Sequence, residues 1–410
     1  MRNIFTLFLI ICISLSTFII SKIHAQESAY DFFLIGKNMY DAQNYKQAIH
    51  NFDKAISLNT FYYDAYLEKA KCYLAINNKS EALNEINKVI NLKRNYAPAL
   101  YMRAEYWMNE KQYKQAITDL KEVVLQNKYY YPARELLANA YYNINDFQNA
   151  LNEINFLISE QPTEYKYLLK RAHINKDMKQ WNEAIKDCNT LISKNKFANE
   201  AYALRGTILL EQNKNNEAFD DFSRAIANNY FTKELLLIYL NMSMKNDKLI
   251  NSQQALELLI KNYEPKNSYY HLLLGKILIK EQKYDIAISV LKNAISLRPN
   301  YDTAYVYLGM AKRLISKDPI NDLRKAIYLN PKNSLAYEEL GIYYIDKKLY
   351  SQALDNLSTA IKLNPTGRAY YYRAIVWDLN RNKENACLDL KNAKELNYKE
   401  AQIAFNKICM

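Results

Sequence analysis

The stretch LLGKILIKEQKYDIAISVLKNAISLRP, Leu273 to Pro299, is written again with substitutions as ELGIYYIDKKLYSQALDNLSTAIKLNP, Glu339 to Pro365. Gly275 and Gly341 stand the same distance before Pro299 and Pro365, and Ala287 and Ala294 are matched by Ala353 and Ala360. A repeated short segment constrains folding more than any other feature, because one copy cannot bury a core alone and must stack on its neighbours. Starting at Ala29, the chain divides into units beginning at 29, 63, 97, 131, 165, 199, 233, 268, 302, 334 and 367. The first six are 34 residues long, the seventh 35, the ninth 32 and the tenth 33.

Each unit reads as two amphipathic helices. In 410 residues there are only 6 glycines and 8 prolines, too few for a fold rich in tight turns. The first helix places an aromatic or leucine four residues before a small one: Phe32/Gly36, Tyr66/Ala70, Leu168/Ala172, Tyr202/Gly206, Tyr305/Gly309 and Tyr337/Gly341. The second carries one apolar stripe, as in Ala48, Phe52 and Ala55, or Ala116, Leu120 and Val123, or Ala218, Phe222 and Ala225. Spacings of three and four keep such side chains on one helix face. Gly36, Gly206, Gly275, Gly309 and Gly341 all fall in the same slot. Glycine inside a helix costs roughly 0.5–1 kcal/mol relative to alanine, so close helix packing must outweigh that loss.

The period, the small slot, the aromatic opening the second helix (Tyr45, Tyr113, Phe147, Trp181, Tyr284, Tyr350) and the closing prolines (Pro162, Pro299, Pro365) resemble the tetratricopeptide repeat. The resemblance covers residues 29–400. It implies an all-α, right-handed superhelical solenoid of about eleven helix-turn-helix repeats. Repeats one to seven occupy 29–267, the seventh degenerate, and repeats eight to eleven occupy 268–400; a capping helix ends over 401–410. Repeat seven puts Leu240 in the small slot and has lost its regular alanines, so it is a candidate hinge. In repeat nine, SKDP replaces the inter-helix turn, where Asp318 suits a cap and Pro319 a helix start.

One correlation runs between the two helices of a unit. Five units place a cation just before the small slot: Lys69, Arg103, Arg171, Arg205 and Arg373. The same five carry an acid sixteen residues later: Glu85, Asp119, Asp187, Asp221 and Asp389. Among the other units only the fourth has an acid there, Glu153. This matching predicts structural salt bridges, each worth about 1 kcal/mol if partly exposed.

Catalytic and metal-binding patterns are absent from the sequence. His50, His173 and His271 lie in separate units, and there is no H-E-x-x-H, C-x-x-C, phosphate loop or nucleophile elbow. With glycine used in helix packing, little backbone remains to cradle a phosphate or an oxyanion. The expectation is a non-enzyme with no cofactor and no metal.

The first residues have a different character. Arg2 precedes an uncharged apolar run from Ile4 to Ile20, followed by Ser21, Lys22 and Ile23 to Gln26. This predicts a secretory signal over 1–25, cut after Ala25, and so export to the periplasm or cell envelope. An uncleaved membrane anchor is the other reading, and the only expected link to a membrane. The formal charge of +12 is spread singly among Asn, Glu and Asp, which argues against a nucleic-acid partner.

Of the cysteines beyond the signal, Cys72 and Cys188 fall inside helices. Cys387 and Cys409 differ. The tail YKEAQIAFNKICM resembles a capping helix, and packing it antiparallel to the preceding helix brings Cys409 level with Cys387. A disulfide and two buried thiols are both open at this point.

Repeats of this family typically bind an extended peptide or partner helix on the surface lined by their first helices. Counting from the small slot, inward positions are Phe33, Lys37 and Tyr40; Leu67 and Lys71; Tyr101, Glu105 and Met108; Glu135, Asn139 and Tyr142; Leu169, His173 and Lys176. Aromatic and Met side chains mixed with amides and charges suit a protein interface. Lys37 and Asn139 are too far apart to belong to a carboxylate clamp. The sequence therefore predicts a scaffold or adaptor holding other proteins, the alternative being a membrane-anchored platform for a secretion, motility or cell-wall machine. A carbohydrate- or lipid-binding solenoid is a third option.

Overall fold

The computed structural model describes residues 28–410. The expected signal over 1–25 lies outside the described residues. All regular elements among them are helices, and the chain forms two compact units, one ending at Ile208 and the other beginning at Leu209. That boundary falls inside a repeat, whereas the sequence grouping divides the repeats at 267/268.

The first unit holds α1 (Ala29–Asp41), α2 (Tyr45–Leu58), α3 (Tyr63–Ala75), α4 (Lys79–Leu92) and α5 (Ala97–Asn109). It continues with α6 (Tyr113–Gln126), α7 (Tyr131–Asn143), α8 (Phe147–Glu160), α9 (Lys166–Asp177) and α10 (Trp181–Ser193). Helix α11 (Ala198–Glu211) carries the boundary. The second unit holds α12 (Asn215–Ala227), α13 (Lys233–Lys245), α14 (Leu249–Asn262), α15 (Ser268–Lys280), α16 (Tyr284–Leu297) and α17 (Asp302–Leu314). It closes with α18 (Ile320–Leu329), α19 (Ser334–Asp346), α20 (Tyr350–Leu363), α21 (Gly367–Leu379), α22 (Lys383–Glu395) and α23 (Lys399–Cys409). Odd-numbered helices up to α21 are the first helices of repeats, and α23 is the cap. No described helix is long and apolar enough to cross a membrane.

Within each unit the core is a file of layers. Ala48, Phe52 and Ala55 are fully buried on α2, as are Ala116, Leu120 and Val123 on α6 and Ala287, Leu291 and Ala294 on α16. The small slot faces the large residue of this stripe. A Cβ at Gly36 would lie 2.6 Å from the Phe52 ring, and one at Gly275 would lie 2.6 Å from Leu291.

Every turn from a first to a second helix uses one residue in the left-handed region. In the first unit these are Gln43, Asn77, Lys111, Asn145 and Lys179, with φ between 56° and 60°. Asn213, Asp247, Gln282, Ser316, Lys348 and Arg381 do the same in the second. None is glycine, although this region costs an L-residue roughly 1–2 kcal/mol. In repeat nine Pro319 sits just before α18 rather than as its first residue, and Asp318 Oδ1 accepts from the Ile320 amide at 2.9 Å.

Repeat seven compensates for its lost pattern. Tyr239 is fully buried and stacks on Phe219 at 4.7 Å. Its hydroxyl is 3.0 Å from Ser223 Oγ and accepts from Asn251 Nδ2 at 2.6 Å. Ser252 Oγ donates to Ser243 Oγ at 2.9 Å beside it.

The cap α23 covers the last repeat. Ala401 is buried, and Ala404, Phe405 and Ile408 pack with Ala374, Leu390 and Ala393. A disulfide joins Cys387 on α22 to Cys409 on α23. Cys72 and Cys188 are buried, and burial pushes the Cys72 thiol up to about 12.

Candidate protein-binding face

First helices of successive repeats approach one another across the layer. In the first unit α1 reaches α3 and α5 reaches α7, and among the described residues no pair of second helices is in comparable contact. The first-helix side is therefore the inner side of this unit. The α15–α17, α17–α19 and α19–α21 neighbours show the same relation in the second.

The ion pairs lie between the helices of a repeat. Arg103 donates to both carboxylate oxygens of Asp119 at 2.8 and 2.7 Å; Arg171 does so to Asp187, and Arg373 to Asp389 at 2.8 Å twice. Lys69 reaches Glu85 at 3.2 Å, and in repeat four Arg134 reaches Glu153 at 2.5 Å. Arg205 falls in the first unit, where it donates to Asn189 Oδ1 at 2.5 Å, and Asp221 falls in the second, buried. Lys69, Arg103, Arg171, Arg205 and Arg373 each also reach the preceding second helix, whereas Arg134 donates to the Lys128 carbonyl in the turn before α7. Arg103 donates to Asn87 and Arg171 to Asn155, both at 2.9 Å, Arg373 to Ser358 at 3.1 Å, and Lys69 lies 2.6 Å from Asp53. The guanidinium thus ties together three helices from two repeats; Glu85, Asp119, Asp187 and Asp389 are buried, and Glu153 is half-buried.

The inner positions divide by surroundings. Leu67, expected on the open face, is instead buried with Ala70, Ile86 and Met102, because the next repeat's first helix covers it. Phe33 is half-buried against Phe52 and Tyr62, with centroids at 5.9 and 4.9 Å, and the exposed Lys37 ammonium stands 5.9 Å from its ring. Tyr40 packs edge-on against Tyr45, and Met108 is half-buried beside Leu120 and Ala116. Lys71 bonds Glu68 at 2.7 Å. Glu105 is exposed beside the half-buried Tyr101, and desolvation raises its carboxyl above the usual range. Desolvation also raises the Tyr101 hydroxyl, with the charge of Glu105 next in effect.

Repeats four and five are joined by a polar network. Glu135 accepts from Lys166 at 2.7 Å and from Lys170 at 2.8 Å, and Lys170 also donates to Asn139 Oδ1 at 3.1 Å. The Tyr142 hydroxyl donates to Asp177, which Lys176 also neutralises at 3.2 Å. Desolvation, reinforced by that carboxylate, pushes the Tyr142 hydroxyl up to about 12. Between these groups is a cavity of about 200 Å³ floored by Ala138, Ile154 and Ile174, with Asn139, Tyr142, Lys170 and His173 at its rim. His173 stays open to solvent through the mouth, yet its low-dielectric surroundings lower the imidazole pKa. Leu169 is half-buried in the core beside Leu204 and Leu191. Lys166, Lys170 and Asp177 escaped the sequence reading, because what makes them part of the face is a neighbour in another repeat.

In the second unit Glu338 and Arg368 take the repeat positions of Glu135 and Lys166, in a drier network that Glu339 and Arg313 extend. Arg368 lies 2.6 Å from Glu338 and 2.7 Å from Glu339, and Arg313 reaches Glu339 at 3.2 Å. No group of three or more metal-ligating side chains is found among the described residues.

Family models for the tetratricopeptide repeat match residues 39–106 and 268–301, and one for the tetratricopeptide repeat-like domain matches 93–242. This is a tetratricopeptide repeat protein. Such repeats generally mediate protein–protein interaction, and proteins built from them are typically non-enzymatic scaffolds. The chain is similar to the cell division cycle protein 27 homolog of Caenorhabditis elegans, with 30% identity over 99 residues, covering 23% of this chain and 12% of that protein. It is also similar to tetratricopeptide repeat protein 21B of Xenopus laevis, with 35% identity over 98 residues, covering 23% of this chain and 8% of that protein. The matched region thus spans about a tenth of each relative. Among solved structures, a tetratricopeptide repeat protein from Parabacteroides merdae aligns over 60% of this chain and 99% of its own, with TM-score 0.41 and 17% identity. Yeast Tom70 aligns over 93% of this chain and 88% of its own, with TM-score 0.37 and 16% identity.

Proposed function

We propose that this chain is a non-enzymatic adaptor of the bacterial cell envelope that holds an extended segment of a partner protein along the first-helix face of its first unit. The observation that carries the reading is the row of half-exposed groups contributed there by successive first helices, from Phe33 and Tyr40 through Tyr101 and Glu105 to Asn139, Tyr142 and His173. Aromatic side chains supply contact area, and polar groups already held by neighbours lose little freedom on binding.

Two features support export. One is the apolar run Ile4–Ile20 behind Arg2. The other is the disulfide between Cys387 and Cys409, a bond that persists in oxidising compartments.

The test places a photo-crosslinking residue at Lys37 or Glu105 on the first-helix face, and at the exposed Lys121 on a second helix, in cells making the full chain. Crosslinks to one defined partner from the first two positions, and none from Lys121, are expected. Equal capture from all three sinks the face. N-terminal sequencing of the same material separates the two modes of export. A start at Gln26 identifies a released adaptor, and an intact start identifies the anchored platform.

A further inference from the structure

We infer that the cavity between repeats four and five is an anchor site for one uncharged apolar side chain, of leucine or phenylalanine size, on the partner's segment. This rests on the reading of the first-helix face as the binding surface. Three observations select the occupant. The first is size: a cavity of about 200 Å³ is smaller than the roughly 300–1,000 Å³ of drug-sized ligand sites. It is still ample for a single ring, since an apolar cavity of about 150 Å³ takes up benzene. The second is the floor, made by Ala138, Ile154 and Ile174 from three helices, α7, α8 and α9. Ile154 and Ile174 are buried, so the floor belongs to the packed core and is already formed.

The third observation is charge. Lys170 is bonded to Glu135 and Asn139, and Asp177 is met by the Tyr142 hydroxyl and by Lys176. Each of these ions is already paired, so an entering charge would lose its water and find no free counter-charge. An apolar group loses nothing by entering and gains contact with the floor. A cavity of about 190 Å³ occupies the corresponding junction of repeats seven and eight in the second unit, but Lys276 and Lys280 stand against the single carboxylate of Asp247 at its edge. Three charged side chains line that cavity, against Lys170 alone in the first, which makes it a natural comparison.

The probe is N-acetyl-phenylalaninamide, titrated into the full chain while the methyl resonances of Ile154 and Ile174 are followed by NMR. N-acetyl-lysinamide and the carboxylate of N-acetyl-aspartic acid amide serve as charged comparisons. Saturable shifts with the phenyl probe are expected, at least tenfold weaker with either charged one. The variant Asn139→Phe, which puts a ring in the mouth without touching the floor, is expected to remove the shifts and leave the rest of the spectrum in place. No saturation, charged probes within twofold of the phenyl one, or shifts unaltered in Asn139→Phe would each overturn the site. A crosslinker at Lys37 separates this from the fate of the face. A tenfold loss of partner crosslinking in Asn139→Phe supports the anchor, and undiminished crosslinking removes the anchor while the face stands. No crosslink at Lys37 even without the substitution sinks both, leaving the probe in a bare cavity.

Discussion

Arg103 grips both oxygens of Asp119 with Nε and Nη2 while Nη1 reaches back to Asn87 on the preceding repeat. One guanidinium therefore serves two interfaces, within a repeat and between repeats. Asp119 is 4% exposed, so removing its charge strands a largely desolvated cation. Loss of one partner of a buried pair costs about 3–5 kcal/mol; with the Arg103 side chain 24% exposed, Asp119→Ala is expected at about 2–3 kcal/mol. Asn87→Ala, removing one neutral acceptor, is expected at about 1 kcal/mol. Hydrogen exchange should place the Asp119 effect in α5 and α6 and spread the Asn87 effect to α4. Equal losses from both variants would show that the pair adds nothing beyond an ordinary hydrogen bond.

The Asp119 half of this arrangement was legible in the sequence because cation and acid recur together at fixed places in several repeats. The Asn87 half was not. Its counterparts are Asp53, Asn155, Asn189 and Ser358, polar residues of a kind that also fill solvated helix faces. Helix positions were legible for the same reason as the ion pair, since each apolar stripe is rewritten about every 34 residues. The left-handed turn residue was hidden, because Gln43, Lys111 and Ser316 share no chemistry and only the backbone selects them. Leu67 shows the limit for the face. The small slot sets its angle on the helix, but burial depends on what the next repeat lays over it.

The turn residues yield a stabilising substitution. Lys179 holds φ 59° and is exposed. Lys179→Gly removes a strain of roughly 1–2 kcal/mol and loses part of it to added freedom in the unfolded chain, for a net gain of about 0.5–1 kcal/mol. Asn145→Gly should gain less, because asparagine tolerates this region better. Chemical denaturation monitored by circular dichroism compares them, and a loss of stability in Lys179→Gly would count against strain in the turn.

Gly275→Ala should behave in the opposite sense. In an open helix this change stabilises by roughly 0.5–1 kcal/mol, but the new methyl would sit 2.6 Å from Leu291. Forcing two packed helices apart costs about 1–3 kcal/mol, so a net loss of stability is expected. Pairing it with Leu291→Ala should make the new methyl tolerable, and a double variant no better than the sum of the singles would refute direct contact.

The disulfide gives a prediction about the cap. Helix α23 has 11 residues, with only Ala401 fully buried, and a helix that short is marginal without support. Linking positions 22 residues apart restricts the unfolded chain by about 3 kcal/mol. Cys409→Ser, or reduction with dithiothreitol, should therefore lower exchange protection throughout α23 and leave the first unit untouched. Full protection of α23 after reduction would show that Phe405 and Ile408 hold the cap unaided.

His173 makes the first unit sensitive to mild acid. Desolvation lowers its folded-state pKa below the usual 6.5, outweighing the charge of Asp177. A histidine whose pKa is depressed binds fewer protons folded than unfolded, so its contribution to stability is intact above the unfolded value and lost as pH falls through the folded one. Stability of the first unit should decline between about pH 7 and 5, with a slope that His173→Gln flattens. Titration of the His173 ring protons by NMR supplies the direct check: a midpoint below that of an unfolded peptide is expected, and one above it would mean that Asp177 holds the imidazolium in place.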